Sequence, residues 1–144
     1  MSRRIYEPGP RLEILFRALA DRTRLRLLNL MRDQELCVCY FVQILQTTQP
    51  KISRHLAYLR RAGIVSARRQ GTWMHYRILL PQDARAAGIL KEVLASLGED
   101  REMQRDLLRL NAACCAPQKF VSLLDAPPPV RLAGQFAEGG LGRE

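Results

Sequence analysis

Along its first half the chain carries apolar side chains at helical spacing. Behind Pro10, Leu12, Leu15, Phe16 and Leu19 fall at i, i+3, i+4 and i+7, one face of a first helix. Asp21 is of the type that accepts a backbone N–H at a helix start, and Leu25, Leu28 and Met31 mark the inward side of a second helix to about Met31. A third helix is expected from Glu35 or Cys37 to Gln46, with Phe41, Val42 and Leu45 apolar. Thr47-Thr48-Gln49-Pro50 then breaks and restarts the pattern: a Thr can cap, and Pro is tolerated in a first turn, where its missing N–H would be unpaired anyway. The fourth helix runs to Ala62 and buries Ile52, Leu56 and Leu59, and Gly63 supplies a residue that adopts positive φ cheaply.

The period then changes. Residues 64–69 read as a strand, Gln70-Gly71 as a tight turn and residues 72–79 as the returning strand. Asp83 can cap a long helix whose Ala86, Ile89, Leu90, Val93 and Leu97 form a broad apolar stripe without an obvious partner in so short a chain. Gly98 interrupts it, and a further helix from Glu99 to about Ala113 carries Met103, Leu107 and Leu110. The order helix, short turn, helix, hairpin is that of a winged helix-turn-helix, so the fold class is mainly α with a small β-hairpin. Four segments are expected: an arm over 1–9, a DNA-binding and dimerisation domain over 10–113, a Cys-containing segment over 114–125, and a mobile Pro- and Gly-rich tail over 126–144.

Composition sharpens this. The 144 residues suit one domain, and a hydrophobic fraction of 47% is enough for a core. The balance of 23 basic to 14 acidic residues gives +9 and a pI near 10.1, which points to a polyanionic partner. No run approaches the ~18 apolar residues of a membrane span. The residues after Met1 include arginines but no apolar stretch, so neither a signal peptide nor a membrane partner is expected, and the location is expected to be cytoplasmic. Thiols stay reduced there, so four cysteines read as ligands or reactive groups rather than disulfides.

The charge is also segregated. From Leu36 to Gln82, 47 residues hold no Asp or Glu, while Lys51, Arg54, Arg60, Arg61, Arg68, Arg69 and Arg77 are all basic. A solvated face mixes both signs; a phosphate-facing one does not. Gln49, Lys51, Ser53, Arg54, His55 and Tyr58 fall largely outside the apolar stripe of the fourth helix. Gln, Ser and Arg near its N-terminus suit base edges, whereas Lys51 suits phosphate. Arg68 and Arg69 beside the hairpin turn suit phosphate or the minor groove. The plainer reading, arginines that merely solubilise, does not account for the missing acids. His55 and His75 read as polar helix and strand residues rather than metal ligands.

Four motifs in order carry a resemblance: Ala20-Asp21-Arg22-Thr23-Arg24-Leu25-Arg26-Leu27-Leu28, Glu35-Leu36-Cys37-Val38-Cys39, Gln49-Pro50-Lys51-Ile52-Ser53-Arg54-His55-Leu56 and Trp73-Met74-His75-Tyr76-Arg77. Across about residues 10–97 the chain resembles the ArsR/SmtB family of metal-sensing repressors. The resemblance implies a homodimer joined by its first and last helices. It also implies that the ligand-free form, with no cofactor, holds double-stranded operator DNA and that metalloid binding releases it. Glu-Leu-Cys-Val-Cys resembles the arsenic- and antimony-responsive branch, whose third cysteine is replaced here by Val42.

Trivalent As(III) and Sb(III) are soft, and thiolate is the soft ligand a protein offers. Two thiolates hold a monomethylated As(III) species, and the inorganic ion prefers three. On a regular helix Cys37 and Cys39 would point about 200° apart, so gripping one ion would demand a distorted helix start. Cys114 and Cys115, placed after the last helix, are the obvious source of a further thiolate, from the same subunit or its partner, or else form a separate site. Three alternatives stand beside this. The cysteines can be buried small hydrophobes, ligands of a four-thiolate cadmium or lead sensor, or a redox switch. A zinc sensor would need ligands on the last long helix, and no histidine lies from Asp83 to Ala113. No Gly-rich or basic loop flanks a cysteine, which argues against a thiol enzyme.

Overall fold

Three aspartates start three helices. Asp21 Oδ1 accepts from the Arg24 N–H at 3.0 Å and Asp83 from the Arg85 N–H at 2.8 Å, and Asp100 accepts from the N–H groups of Glu102 and Met103. The computed structural model describes residues 11–120 and 123–132. The helices are α1 (Leu12–Leu19), α2 (Arg22–Leu30), α3 (Val38–Leu45), α4 (Gln49–Arg61), α5 (Ala84–Leu97) and α6 (Arg101–Cys115), followed by a single 3-10 turn over Pro117–Lys119. The strands are β1 (Gln34–Cys37), β2 (Val65–Gln70), β3 (Trp73–Ile78) and β4 (Val130–Arg131), in the antiparallel order β2-β3-β1-β4. No helix among the described residues is long and apolar enough to cross a membrane.

The winged helix-turn-helix expected from the sequence is present. Thr48 holds the N-cap position of α4 but makes no side-chain cap bond; its carbonyl accepts from the Ile52 N–H at 3.1 Å. Gly63, at φ +79°, closes α4 and lets the Ile64 N–H reach back to the Leu59 carbonyl at 3.2 Å. The hairpin pairs Gln70 with Trp73, so its tight turn is Gly71-Thr72, one residue later than the sequence suggests, with Gly71 at φ +62°. Helix α2 is the hub: its Leu27, Leu28 and Leu30, and Met31 just after it, are completely buried among the other helices.

Several expectations are corrected. Residues 34–37 are not the start of a helix but a strand, because Leu36 and Cys37 pair with Tyr76 and His75 of β3. The tail expected from residue 126 is ordered through residue 132. There β4 pairs with β1 (Glu35 opposite Val130), and the Leu132 N–H reaches the Asp33 carbonyl at 2.9 Å. The rest of that tail and the expected 1–9 arm lie outside the described residues. The α5 stripe does find a partner within the chain: Ala86, Leu90, Leu94 and Leu97 are buried, with Ile89 and Val93 only partly so. On α1 it is Leu15, Ala18 and Leu19 that face the core, while Leu12 and Phe16 are half-exposed.

Helix α6 is tied to α2 through polar groups. Arg26 donates from Nε and Nη2 to both oxygens of Asp106, at 2.8 and 3.0 Å, and Asp106 is completely buried. Arg22 reaches Asp100 and Glu102, both at 2.7 Å, and the buried Asn29 amide donates to the Met103 carbonyl at 3.1 Å. Hydrogen bonding to Asp106 raises the Arg26 pKa. Removing one partner of a buried ion pair strands the other charge. Asp106→Ala should therefore lower unfolding free energy by about 3 kcal/mol, the low end for such a break, since Glu102 still lies 3.7 Å from Arg26. Urea denaturation measures it, and an unchanged midpoint would refute the anchoring role.

Candidate nucleic-acid interface and thiol site

Helices α3 and α4 form the two arms of the helix-turn-helix. Gln46, at φ 53° and ψ 48°, turns the chain out of α3 in the left-handed conformation, and Thr47-Thr48 lead into α4. With Ile52, Leu56 and Leu59 buried, Gln49, Lys51 and Arg54 are exposed on the opposite side and Ser53 is partly so. Lys51, Arg54 and Arg61 border a groove of about 760 Å³ between α4 and the N-terminal half of α2. An open cleft lined by cations with no carboxylate is a place for phosphate.

Three side chains read as DNA contacts are engaged within the protein. The Tyr58 ring lies under the Arg24 guanidinium, 4.1 Å from its centroid, with Arg61 at 5.8 Å. Arg24 in turn donates to the Ala18 and Arg17 carbonyls, both at 2.8 Å, closing the end of α1. His55 Nδ1 stands 3.8 Å from Asp21, at the cap of α2. Arg68 is committed to Glu35, which accepts from its Nη2 at 2.6 Å and its Nε at 3.1 Å. That bond holds the Glu35 carboxyl below its usual range and raises the guanidinium pKa. Arg69, one residue nearer the tip, stays exposed.

The thiol pair sits where β1 becomes α3. Cys37 is the last strand residue, extended at φ −67° and ψ 145°, and Cys39 lies in the first helical turn. Because the two residues straddle a strand–helix junction, the opposed orientation expected on a helix does not arise. The Cys39 thiol donates to Cys37 Sγ across 2.7 Å, and both are buried. The Cys37 pKa is brought down to about 7, first by that bond and then by the backbone N–H groups of Cys39 and Val38, against the opposing effect of burial. Cys39 is pushed up, because the proton it donates holds the first thiolate and burial disfavours a second charge. Val42 follows one turn along α3.

Cys114 and Cys115 lie in the last turn of α6 rather than after it, the first partly buried and the second exposed. Burial raises the Cys114 pKa. Tyr40 of α3 links the two regions electrostatically: its hydroxyl is pushed up to about 12, mainly by burial, then by Cys114, Cys39 and Cys37. Among the described residues no three ligating side chains are gathered closely enough to hold an ion, so the four cysteines form two pairs, not one cluster. Glu35 was not singled out from sequence as a functional residue. Its one signal was position: it is the last acid before the acid-free stretch.

The model for the bacterial regulatory protein, arsR family, matches residues 21–67, from the α2 cap into β2. The arsenical resistance operon repressor of Escherichia coli is 44% identical over 101 residues, 69% of this chain and 86% of that one. The arsenic resistance transcriptional regulator ArsR1 of Pseudomonas putida is 54% identical over 66 residues, although the chain spans only about half of it, 52%. Among solved structures, HlyU from Vibrio cholerae has a TM-score of 0.51 at 30% identity, over 60% of this chain and 89% of that one. On the helix-turn-helix geometry and these likenesses, the chain belongs to the arsR family of bacterial regulatory proteins, DNA-binding regulators rather than enzymes.

Proposed function

We propose that the protein is a transcriptional repressor that holds operator DNA as a homodimer and releases it when Cys37 and Cys39 capture trivalent arsenic or antimony. The observation that carries the reading is the buried thiol pair, 2.7 Å apart, at the start of the first helix of the DNA-reading unit. A soft trivalent centre bonded to both sulfurs takes the place of the proton that joins them and, being far larger, must spread the pair. The spreading acts on the N-terminus of α3, which packs directly against α4. Ligand and DNA thus favour different arrangements of the same helix pair, the differential affinity that release requires.

With Val42 in place of a third cysteine, inorganic arsenite draws its third thiolate from Cys114, on a helix packed against α3. The assembly reading is supported by Leu12 and Phe16, 49% and 52% exposed on α1, which a second copy would cover. A second reading rests on the same 2.7 Å contact: peroxide would oxidise the two thiols to a disulfide, with two waters formed. Intact mass separates them, since arsenite adds arsenic and peroxide removes two hydrogens.

Arg54→Ala should weaken operator binding by about 1–3 kcal/mol and relax preference at one base position. Arg69→Ala should weaken binding evenly across sequences and lower the salt slope by about one. Fluorescence anisotropy at several salt concentrations distinguishes them, and parental binding by the Arg54 variant would refute the assignment of α4 as the reading helix. Cys37→Ser or Cys39→Ser should bind operator normally but not release it with arsenite. The double change Cys114→Ser/Cys115→Ser should blunt release by inorganic arsenite while leaving release by a monomethylated arsenical in place. Continued release from a Cys37→Ser/Cys39→Ser protein would sink the reading.

Capture should also depend on pH. A thiol lowered to about 7 is mostly protonated at pH 6 and mostly thiolate at pH 8. The initial rate of arsenite capture should therefore rise about tenfold over that interval, following the thiolate fraction. Stopped-flow absorbance of the arsenic–sulfur bond measures it; a flat profile would show that Cys37 does not attack first.

A further inference from the structure

One row of side chains in the sheet runs from the thiol pair to the wing, through a histidine that neither the DNA reading nor the thiol reading uses. His75 on β3 stands directly opposite Cys37 on β1 and directly opposite Arg68 on β2. Residues paired across antiparallel strands share a face, so the three form one row. Glu35, two positions before Cys37, lies on that face as well. Its carboxylate meets the Arg68 guanidinium at 2.6 and 3.1 Å. The ion pair therefore reaches over β3 and joins the outer wing strand directly to the strand that ends in Cys37.

Beneath this bridge His75 is 1% exposed, and among the described residues neither ring nitrogen has a hydrogen-bond partner. Buried polar groups are nearly always paired, and an orphan calls for an explanation such as stored strain or a second arrangement that satisfies it. No acidic residue lies between Leu36 and Gln82, so the carboxylate that holds the wing arginine comes from outside the DNA-binding stretch, on the sensing strand. Glu35 is only 6% exposed, while the Arg68 guanidinium that meets it reaches toward solvent.

We propose that the Glu35–Arg68 ion pair is the link through which capture at Cys37 and Cys39 changes the grip of the wing on DNA. Glu35 and Arg68 act as positioning residues, not as ligands. In the free protein the pair holds Arg68 against the sheet and sets the tilt of the hairpin. Drawing Cys37 Sγ onto a ligand turns the end of β1, and Glu35 moves with its strand. The bridge then breaks or shifts, and a displaced strand offers the unpaired His75 nitrogens a partner. Packed strands have discrete arrangements rather than continuous ones, so a small movement at Cys37 suffices.

The inference rests on the thiol reading given above, and the test separates the two. The readout is the release ratio, operator Kd with arsenite divided by operator Kd without it, together with arsenite stoichiometry from arsenic–sulfur absorbance. Glu35→Gln keeps the shape and removes the charge. It should bind arsenite with parental stoichiometry, yet its release ratio should fall about tenfold. Arg68→Gln should lose the same ratio, the double variant should lose no more than either single one, and Arg68→Lys should recover part of it. Thermal melts check folding, and should Glu35→Gln fail to fold, the exposed Arg68 position carries the test alone. A parental release ratio in Arg68→Gln, or a double variant whose loss is the sum of the singles, overturns the link. Release that persists in Cys37→Ser/Cys39→Ser instead removes the thiol reading, and the link with it.

Discussion

Two residue pairs, Leu36 opposite Tyr76 and Cys37 opposite His75, dock a four-residue strand onto the wing, and both functional surfaces take their positions from that docking. The strand ends where α3 begins, so Cys37 is held extended while Cys39 is already helical. Only this change of backbone conformation between the two residues lets their sulfurs meet at 2.7 Å. The other side of the sheet is held by the Phe41 and Tyr76 rings, edge to face at 6.4 Å, which lock α3 onto β3. The strand that ends in Cys37, the helix-turn-helix and the wing are thus one packed body.

Charge is distributed to match. Two arginines of α2 look toward acids in or capping α6: Arg22 to Asp100 and Glu102, Arg26 to the buried Asp106. The basic residues of α4 have no such acids in their own stretch of chain, and Lys51 and Arg54 face open solvent. Two acids do touch the reading helix and the wing, Asp21 near His55 and Glu35 on Arg68. Glu35 borders the acid-free stretch, and Asp21 lies farther back along the chain. What they hold is geometry: one caps α2, the other bridges strands. The surface left over is cationic, as a phosphate-facing surface must be.

The thiol pair joins two requirements that usually oppose each other. Burial keeps a thiol protonated and inert, yet a ligand for a soft ion must become thiolate. Here the second thiol supplies the first one's hydrogen bond and the start of α3 adds two backbone N–H groups, so one charge is tolerated inside the core and two are not. On the proposed reading, a trivalent centre bonded to both sulfurs would remove that restriction by neutralising them. Helix α6, clamped to α2 by a buried ion pair and resting on α3, then brings Cys114 to the neighbourhood of Tyr40.

Much of this was legible in the residues themselves. The aspartate caps, the Ile52–Leu56–Leu59 stripe, the positive φ of Gly63 and the change of period at the hairpin are local, and local propensity decides them. The acid-free stretch announced a cationic surface and the paired cysteines a thiol pair, because charge and side-chain type are carried by composition. What the chain alone could not disclose depends on partners far away in sequence. A four-residue strand has no period of its own, so β1 is a strand only because β3 lies beside it, and β4 only because β1 presents an edge. The α5 stripe looked unpartnered until α2 covered it. Arg68 looked free until Glu35, 33 residues earlier, closed on it. Sequence determined which side chains carry charge and thiol; tertiary pairing decided which of them meet, because contact between distant residues follows from packing and not from pattern.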